Sequence, residues 1–344
     1  MTIHVGLIGG GNITETHALA ARAISGVDIA AIYGMNAERV DRLCREHGGR
    51  PYRDFEAFLT HRPLDLVIIG SPSGLHATHG IAAMLHGLHV LTEKPIDIST
   101  KRADALIEAA HQSDVKLGVI FQDRLKADIR RFKQWVDEGA LGDPLLVDAR
   151  VKWHRHAEYY RNSKWRGTFA LDGGGALMNQ GVHTVDLLLW LLGDIARVQA
   201  RTATMLHAIE TEDTAVAVLE FASGAIGTLQ ATTAAYPGYP RRLEITGSLG
   251  TVVLEHDRIV AADFRDGQPR LVDHSPGDQN QSASSATVSD IRGHQAVLED
   301  FIQAIEQNRA PACDGREGRR SVAVIEAIYR AARSFETAVE VETN

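Results

Sequence analysis

The sequence predicts an α/β protein: a doubly wound parallel sheet over residues 1–122, then an α+β unit with an open, mostly antiparallel sheet over residues 123–344. Three observations predict it. A glycine-rich turn follows the first strand-like run, short β-branched runs alternate with helical patterns up to about residue 122, and beyond that point strand-like runs follow one another directly. At roughly 100–200 residues per domain, the length accommodates two cores.

In chain order, strands are expected at Ile3–Ile8, Val27–Tyr33, Leu64–Ile69, His89–Leu91 and Val115–Phe121. Helical stretches separate them, most clearly Thr100–His111, where Leu106, Ile107, Ala109 and Ala110 alternate with charged neighbours. Parallel strands need crossover helices, so this rhythm implies a doubly wound sheet. A charged amphipathic helix at about 124–138 ends at Gly139 and Gly142. Strand-like runs then follow at Leu145–Trp153, Ala215–Phe221, Ala225–Ala231, Arg242–Thr246, Thr251–Leu254 and Ile259–Ala262, with turns such as Ala222-Ser223-Gly224 and Gly247-Ser248 between several of them. Helices are expected again at 291–308 and 316–335. An open sheet with helices on one face leaves its other face to a partner, and a homo-dimer or homo-tetramer is expected through it. Residues 264–290, rich in Pro, Gly, Gln and Ser, are expected to form a long excursion, mobile or ordered by a neighbouring subunit.

Composition narrows the function classes. With 44% hydrophobic and 23% charged residues and a net charge of −8, the chain lacks a broad basic field for nucleic acid or anionic lipid. No uncharged apolar run approaches the ~18 residues of a membrane span. Met1-Thr2-Ile3-His4-Val5 starts strand-like alternation at once and reads as neither signal nor transit peptide. Cys44 and Cys313 match no zinc spacing, so neither a metal nor a disulfide is expected, and the setting is expected to be cytoplasmic.

The first strand runs into Gly9-Gly10-Gly11-Asn12-Ile13-Thr14 and a helix over about 13–24. A pyrophosphate needs side chains absent where backbone approaches it and helix N–H groups aimed at it. Gly9 and Gly11 fill the first two places of the G-x-G-x-x-G pattern; Thr14 stands where the third usually wants Gly or Ala. The second strand ends in Gly34-Met35-Asn36, without the carboxylate that would bind ribose hydroxyls, and Asp28 comes too early. NAD and NADP therefore both stay open, with Arg39 a candidate for a 2′-phosphate or simply an exposed helix arginine. Candidate cofactor contacts are Gly9, Gly11, Asn12 and Ile13; Gly34, Asn36 and Arg39; Ser71, Pro72 and His76 after the third strand; and Glu93 and Lys94 after the fourth. His76 reads equally well as a packing residue.

Lys94, in Thr92-Glu93-Lys94-Pro95, stands just past a strand's carboxyl end, where such sheets bind ligands. There it can donate to a substrate hydroxyl, with a pKa lowered by desolvation. The richest segment runs from Trp165-Arg166-Gly167-Thr168 through Gly173-Gly174-Gly175 into a mostly apolar helix from Ala176. Asn179, His183 and Asp186, spaced four and three apart, share one face of it. A polar stripe on a buried helix is either satisfied internally or lines a cavity. His183 is the candidate proton acceptor, Asn179 orients the hydroxyl or the histidine, and Asp186 either holds the imidazole or caps something else.

Together the glycine turn, Glu93-Lys94-Pro95 and Gly173-Gly174-Gly175…Asn179…His183-x-x-Asp186 resemble the glucose–fructose oxidoreductase / inositol dehydrogenase / MocA family, across essentially the whole chain including Gly238–Gly250 and Pro311–Tyr329. The resemblance implies a dinucleotide-binding Rossmann domain, a C-terminal α+β domain for substrate binding and oligomerisation, and NAD(P)-linked oxidation or reduction of a secondary alcohol on a sugar or polyol. It makes Lys94 and His183 the catalytic pair. Many members carry aspartate where Asn179 stands. Asparagine there, with Trp165-Arg166-Gly167-Thr168 and Met178-Asn179-Gln180-Gly181, is more similar to the branch that oxidises C3 of UDP-N-acetylglucosaminuronic acid. Lys94, Arg124, Trp165, Arg166, Asn179 and His183 are then the candidate substrate contacts, with Arg155, Tyr159 and Tyr160 as further parts of an anion-binding wall. His154 and His156 suggest a metal pair but lack a third ligand. Two other readings remain: a glycosidase using nicotinamide transiently for oxidation and elimination, and a nicotinamide-sensing protein without chemistry.

Overall fold

The computed structural model describes residues 2–267 and 290–334. The expected excursion at 264–290 falls almost wholly outside these residues. The first unit contains β1 (Ile3–Ile8), α1 (Asn12–Arg22), β2 (Val27–Tyr33), α2 (Ala37–His47), β3 (Arg50–Tyr52), α3 (Phe55–Leu59), β4 (Leu66–Ile69), α4 (His76–Leu85), β5 (His89–Glu93), α5 (Thr100–Gln112) and β6 (Leu117–Ile120). The strands form one parallel sheet in the order β3-β2-β1-β4-β5-β6. The central strand β4 and the edge strand β6 are both buried at every position, as expected when helices cover both faces. Side-chain caps set where several helices begin: Asn36 accepts from the Arg39 amide, Asp54 from Ala57 and Ser99 from Arg102.

The chain continues through α6 (Ala127–Asp137), β7 (Pro144–Lys152), α7 (Ala157–Arg161), a π-helical turn over Ala176–Gly181, α8 (Val182–Leu192), β8 (Ile195–Ala203), β9 (Thr214–Phe221), β10 (Ile226–Thr232), β11 (Arg242–Gly247), β12 (Gly250–Glu255) and β13 (Arg258–Phe264). This second sheet has the order β13-β12-β11-β7-β10-β9-β8, antiparallel except where β7 lies beside β10. Inner positions such as Val147, Ala217 and Leu229 are buried, whereas Leu146, Val216, Val218 and Ile226 remain exposed on the outer face. Two strands were not anticipated, the short edge β3 and the outer strand β8.

The last helices, α9 (Arg292–Glu306) and α10 (Gly315–Arg333), return to the first sheet. Leu298, Phe301 and Ile302 of α9 join the core formed by Ala18, Ala21, Leu91 and Ile120. Gly118 makes room for them: a Cβ there would lie 2.7 Å from the Phe301 ring. The carboxyl ends of the strands flanking the switch between β1 and β4 thus open toward the second unit, the place where such sheets hold ligands.

Candidate active site

At the end of β1, Gly9 adopts φ 137°, and a Cβ there would lie 2.6 Å from Thr14 Oγ1 and 2.8 Å from the Gly70 carbonyl. Thr14 is tolerated at the third fingerprint position because Gly9 and Gly70 leave space around its hydroxyl. Gly11 heads α1 without a side-chain cap, and no atom comes within 4 Å of where its Cβ would be. The first-turn N–H groups of Asn12 and Ile13 therefore face an open approach suited to an anion. This cradle fits a dinucleotide. Gly34 packs against the turn, with a Cβ site 3.0 Å from the Gly9 carbonyl. Asn36 Oδ1 is committed to capping α2 and Arg39 is exposed beyond it, so neither decides between NAD and NADP.

Two residues expected at the cofactor, His76 and Glu93, have side chains engaged in scaffold contacts. His76 is buried, with Nδ1 2.8 Å from the Pro95 carbonyl and Nε2 3.0 Å from that of Ser71, so it braces two crevice loops. Glu93 is buried too: its Oε1 lies 3.2 Å from His17 of α1 and 3.4 Å from His294 of α9. Burial pushes this carboxyl up, but the two histidines outweigh it and hold it well below the usual range. Ser71 and Pro72 are half-buried at the crevice, where the Ser71 hydroxyl contacts His79 Nδ1 at 2.9 Å. Lys94, at a cis Lys94–Pro95 bond, donates its ammonium to the Asn179 backbone carbonyl at 2.9 Å. Burial lowers its pKa against the pull of Glu93, Asp172 and Asp123.

The loop before the π turn needs its glycines. A Cβ on Gly173 would lie 2.5 Å from Ile98, one on Gly174 2.0 Å from the Tyr329 hydroxyl, and one on Gly175 1.7 Å from the Glu212 carbonyl oxygen. The Glu212 carboxylate accepts the N–H groups of Gly175 (3.0 Å) and Leu177 (2.8 Å) and the Tyr329 hydroxyl (3.0 Å), which anchors the start of the turn. The expected regular helix from Ala176 is thus π-helical as far as Gly181, a feature common at functional sites. It carries Asn179 to Lys94, and the α-helical turn that follows presents His183.

His183 is nearly buried, with its ring edge-on to Phe121 and its Nδ1 3.6 Å from Asp123 Oδ2. Burial and the Lys94 charge hold its pKa down, to about 3, so the imidazole is neutral. Asp123 also binds Lys126 (2.6 Å) and Arg241 (2.8 Å), and both of these reach Asp257 on the β12–β13 turn. Burial raises the Asp123 carboxyl, but Arg241, Lys126 and His183 outweigh it.

Two of the expected site residues pair with each other, which decides between the two roles open to Asp186. Asp186 does not hold the imidazole: it makes a two-bond pair with Arg124 at 2.6 and 2.8 Å. Arg124, expected at the substrate, is buried between Asp186 and Glu317 and pairs with both. Asp123 faces the imidazole instead, at 3.6 Å and beyond hydrogen-bond reach, and the signal for it was present, since it follows the carboxyl end of β6 as Lys94 follows that of β5. Nothing in the sequence pointed to Arg241, Asp257, Asp172, His17 or His294.

Beside Asn179 stands an aromatic and cationic wall. Arg166 lies 4.2 Å over the Tyr159 ring and 5.3 Å from that of Trp165, while its buried Nε has no hydrogen-bond partner among the described residues. Arg155 lies over Trp153 and Tyr159 and donates to Gln180 at 3.1 Å. Tyr160 is buried against the Thr233 hydroxyl and stands behind this wall. The His154 and His156 rings meet edge-on at 4.7 Å. Elsewhere Glu15, Glu46 and His47 approach one another closely, but Arg42 already binds both carboxylates.

A family model described as an oxidoreductase family with an NAD-binding Rossmann fold matches residues 3–121, and one described as the GFO/IDH/MocA C-terminal domain matches residues 129–253. The chain superimposes on the WlbA dehydrogenase of Bordetella pertussis, solved in complex with NADH and UDP-GlcNAcA, with a TM-score of 0.87, 33% identity and 96% of each chain covered. It is 27% identical to the myo-inositol 2-dehydrogenase of Thermotoga maritima over 93% of each chain. It is also 27% identical to the UDP-N-acetylglucosamine 3-dehydrogenase of Acidithiobacillus ferrooxidans, over 97% of this chain and 98% of that one.

Proposed function

The chain belongs to the GFO/IDH/MocA oxidoreductase family and is an NAD(P)-dependent sugar or polyol dehydrogenase; from that premise we propose that it oxidises a secondary alcohol of an anionic sugar, with C3 of a UDP-linked N-acetylhexosaminuronate as the leading case. The observation that carries this reading is the placement of Lys94 and a neutral His183 around Asn179, directly beside the Arg166–Tyr159 wall. The buried Arg166 Nε, which has no hydrogen-bond partner among the described residues, favours a substrate that brings a carboxylate or phosphate.

An alcohol carbon that loses hydride must also release its hydroxyl proton. Lys94 holds the oxygen through its ammonium group, and the lowered pKa lets that group share in proton movement. His183 accepts the proton, and the Asp123 carboxylate 3.6 Å away stabilises the imidazolium formed. Gly9, Gly11, Asn12 and Ile13 would hold the cofactor pyrophosphate, Ser71 and Pro72 its nicotinamide half, and Asn36 and Arg39 its adenosine end. When bound, the nicotinamide supplies the hydride acceptor.

The division at residues 122 and 123, a cytoplasmic setting and a homo-oligomer formed through the outer face around Val216, Val218 and Ile226 belong to the same proposal. No helix among the described residues is long and apolar enough to cross a membrane.

The test is an assay of UDP-GlcNAcA, UDP-N-acetylglucosamine, inositols and glycosides with NAD and with NADP. Net nicotinamide reduction on the acidic sugar nucleotide is the expected result. Reduction on neutral polyols alone overturns the anionic reading, and glycoside cleavage without net reduction identifies the elimination chemistry instead.

A further inference from the structure

Four side chains form a row along the wall of the site. Arg155 Nη2 donates to Gln180 Oε1 at 3.1 Å, Gln180 Nε2 donates to Asn179 Oδ1 at 3.2 Å, and Asn179 Nδ2 donates to Asp172 Oδ1 at 2.6 Å. Side-chain amides are nearly symmetric in shape, so their partners decide which end is nitrogen. This row has a donor-only guanidinium at one end and an acceptor-only carboxylate at the other. Turning either amide over would set donor against donor or acceptor against acceptor. Gln180 is further committed by a bond from its Nε2 to the Tyr159 hydroxyl at 3.1 Å, and Asp172 by accepting the Gly167 amide at 2.8 Å.

We propose that Asp172 is a positioning residue: through this row, with Gln180, it locks Asn179 so that its remaining N–H, rather than its carbonyl, meets the reacting oxygen of the substrate. The inference rests on the reading of Asn179 as a wall of the reacting site. Its chemical sense is direct. The oxygen ends the oxidation as a carbonyl, an acceptor only, and Lys94 with Asn179 then offers it two donors while His183 has taken its proton.

Asp172 is buried, and that burial pushes its carboxyl up to about 6. The bonds from Gly167 and Asn179 and the charges of Lys94 and Arg166, which face it with the Tyr159, Tyr160 and Tyr329 hydroxyls, limit the rise and keep it ionised at neutral pH.

Two substrate-free tests examine the lock. Asn179→Asp would place two carboxylates on one hydrogen bond, so one must keep its proton. A carbon-13 NMR titration of carboxyl groups should then show a new ionisation above pH 7, absent from the wild type and abolished by adding Asp172→Asn. In the second test, Gln180→Glu opposes the Asn179 carbonyl with a carboxylate and should lower Tm, and adding Asp172→Asn should recover at least half of that loss by letting Asn179 turn over. In turnover, Asp172→Asn should lower kcat at least tenfold with the NAD dissociation constant unchanged. An Asn179→Asp titration that survives Asp172→Asn, or Tm losses that simply add, overturns the lock. A positive lock together with no turnover on any sugar counts against the proposed function alone.

Discussion

The wall around Gly9–Thr14 and the wall around Asn179–His183 face one crevice but draw on different physics. The first is backbone brought close by missing side chains: Gly9, Gly34 and Gly70 let three strand ends and a helix start converge. The second is side-chain charge taken out of water and met across the chain, Lys94 by the Asn179 carbonyl, Asp123 by Lys126 and Arg241, and Arg124 by Asp186. The first demands space and is indifferent to pH. The second depends on protonation, because moving one proton on a buried member alters all its neighbours.

The largest effect should come where the second wall borrows the first wall's device. Gly175→Ala would force a methyl against the Glu212 carbonyl, which is backbone and cannot yield. Overpacking of this kind costs about 1–3 kcal/mol and sometimes more; chemical denaturation should show that loss, together with a collapse of turnover. Next come Lys94→Met and His183→Ala, each expected to reduce kcat by roughly 10²–10⁴-fold while fluorescence titration finds NAD binding retained. Undiminished activity in either variant would remove the charge wall from the chemistry.

The wild-type pH profile sharpens the same contrast. The Lys94 pKa is lowered by burial, so its ammonium is lost at lower pH than that of a free lysine. Donation to the substrate oxygen should therefore fail on an alkaline limb with its midpoint below 10.5. A limb at or above that value would mean that Lys94 is solvated during turnover. Arg166→Ala should raise KM for an acidic sugar nucleotide by roughly 10–100-fold, the worth of a charged hydrogen bond, and leave a neutral polyol unaffected. Smallest of all, Arg39→Ala should raise KM for NAD by only about twofold, since a solvent-exposed contact at the adenosine end is worth about 0–1 kcal/mol.

The backbone-built wall was the more legible in sequence because its determinants are local. Gly9 and Gly11 sit next to the strand and helix they join, and β1 and β2 begin and end where their apolar runs do. Lys94 and His183 were readable from their places at a strand end and on a buried helix. The partners of His183 were not, since sheet topology and not spacing brings Asp123, Arg241 and Asp257 together. Asp186 misled for a related reason. Three residues beyond His183, it lies far enough around α8 to meet Arg124. The edge strand β3 contains Pro51 and is largely exposed, and β8 interleaves arginines with small residues, so neither presents an apolar run to find.

Finally, α9 bears on how this protein can be cut. Phe301 plugs the space above Gly118, and the Val119 amide donates to the Cys313 carbonyl, so the last described stretch completes the layer beneath the first sheet. A fragment ending at residue 122 would carry a greasy trench where that helix belongs and should aggregate. A chimera that exchanges substrate halves between relatives will keep its solubility only if residues 290–334 travel with the nucleotide half.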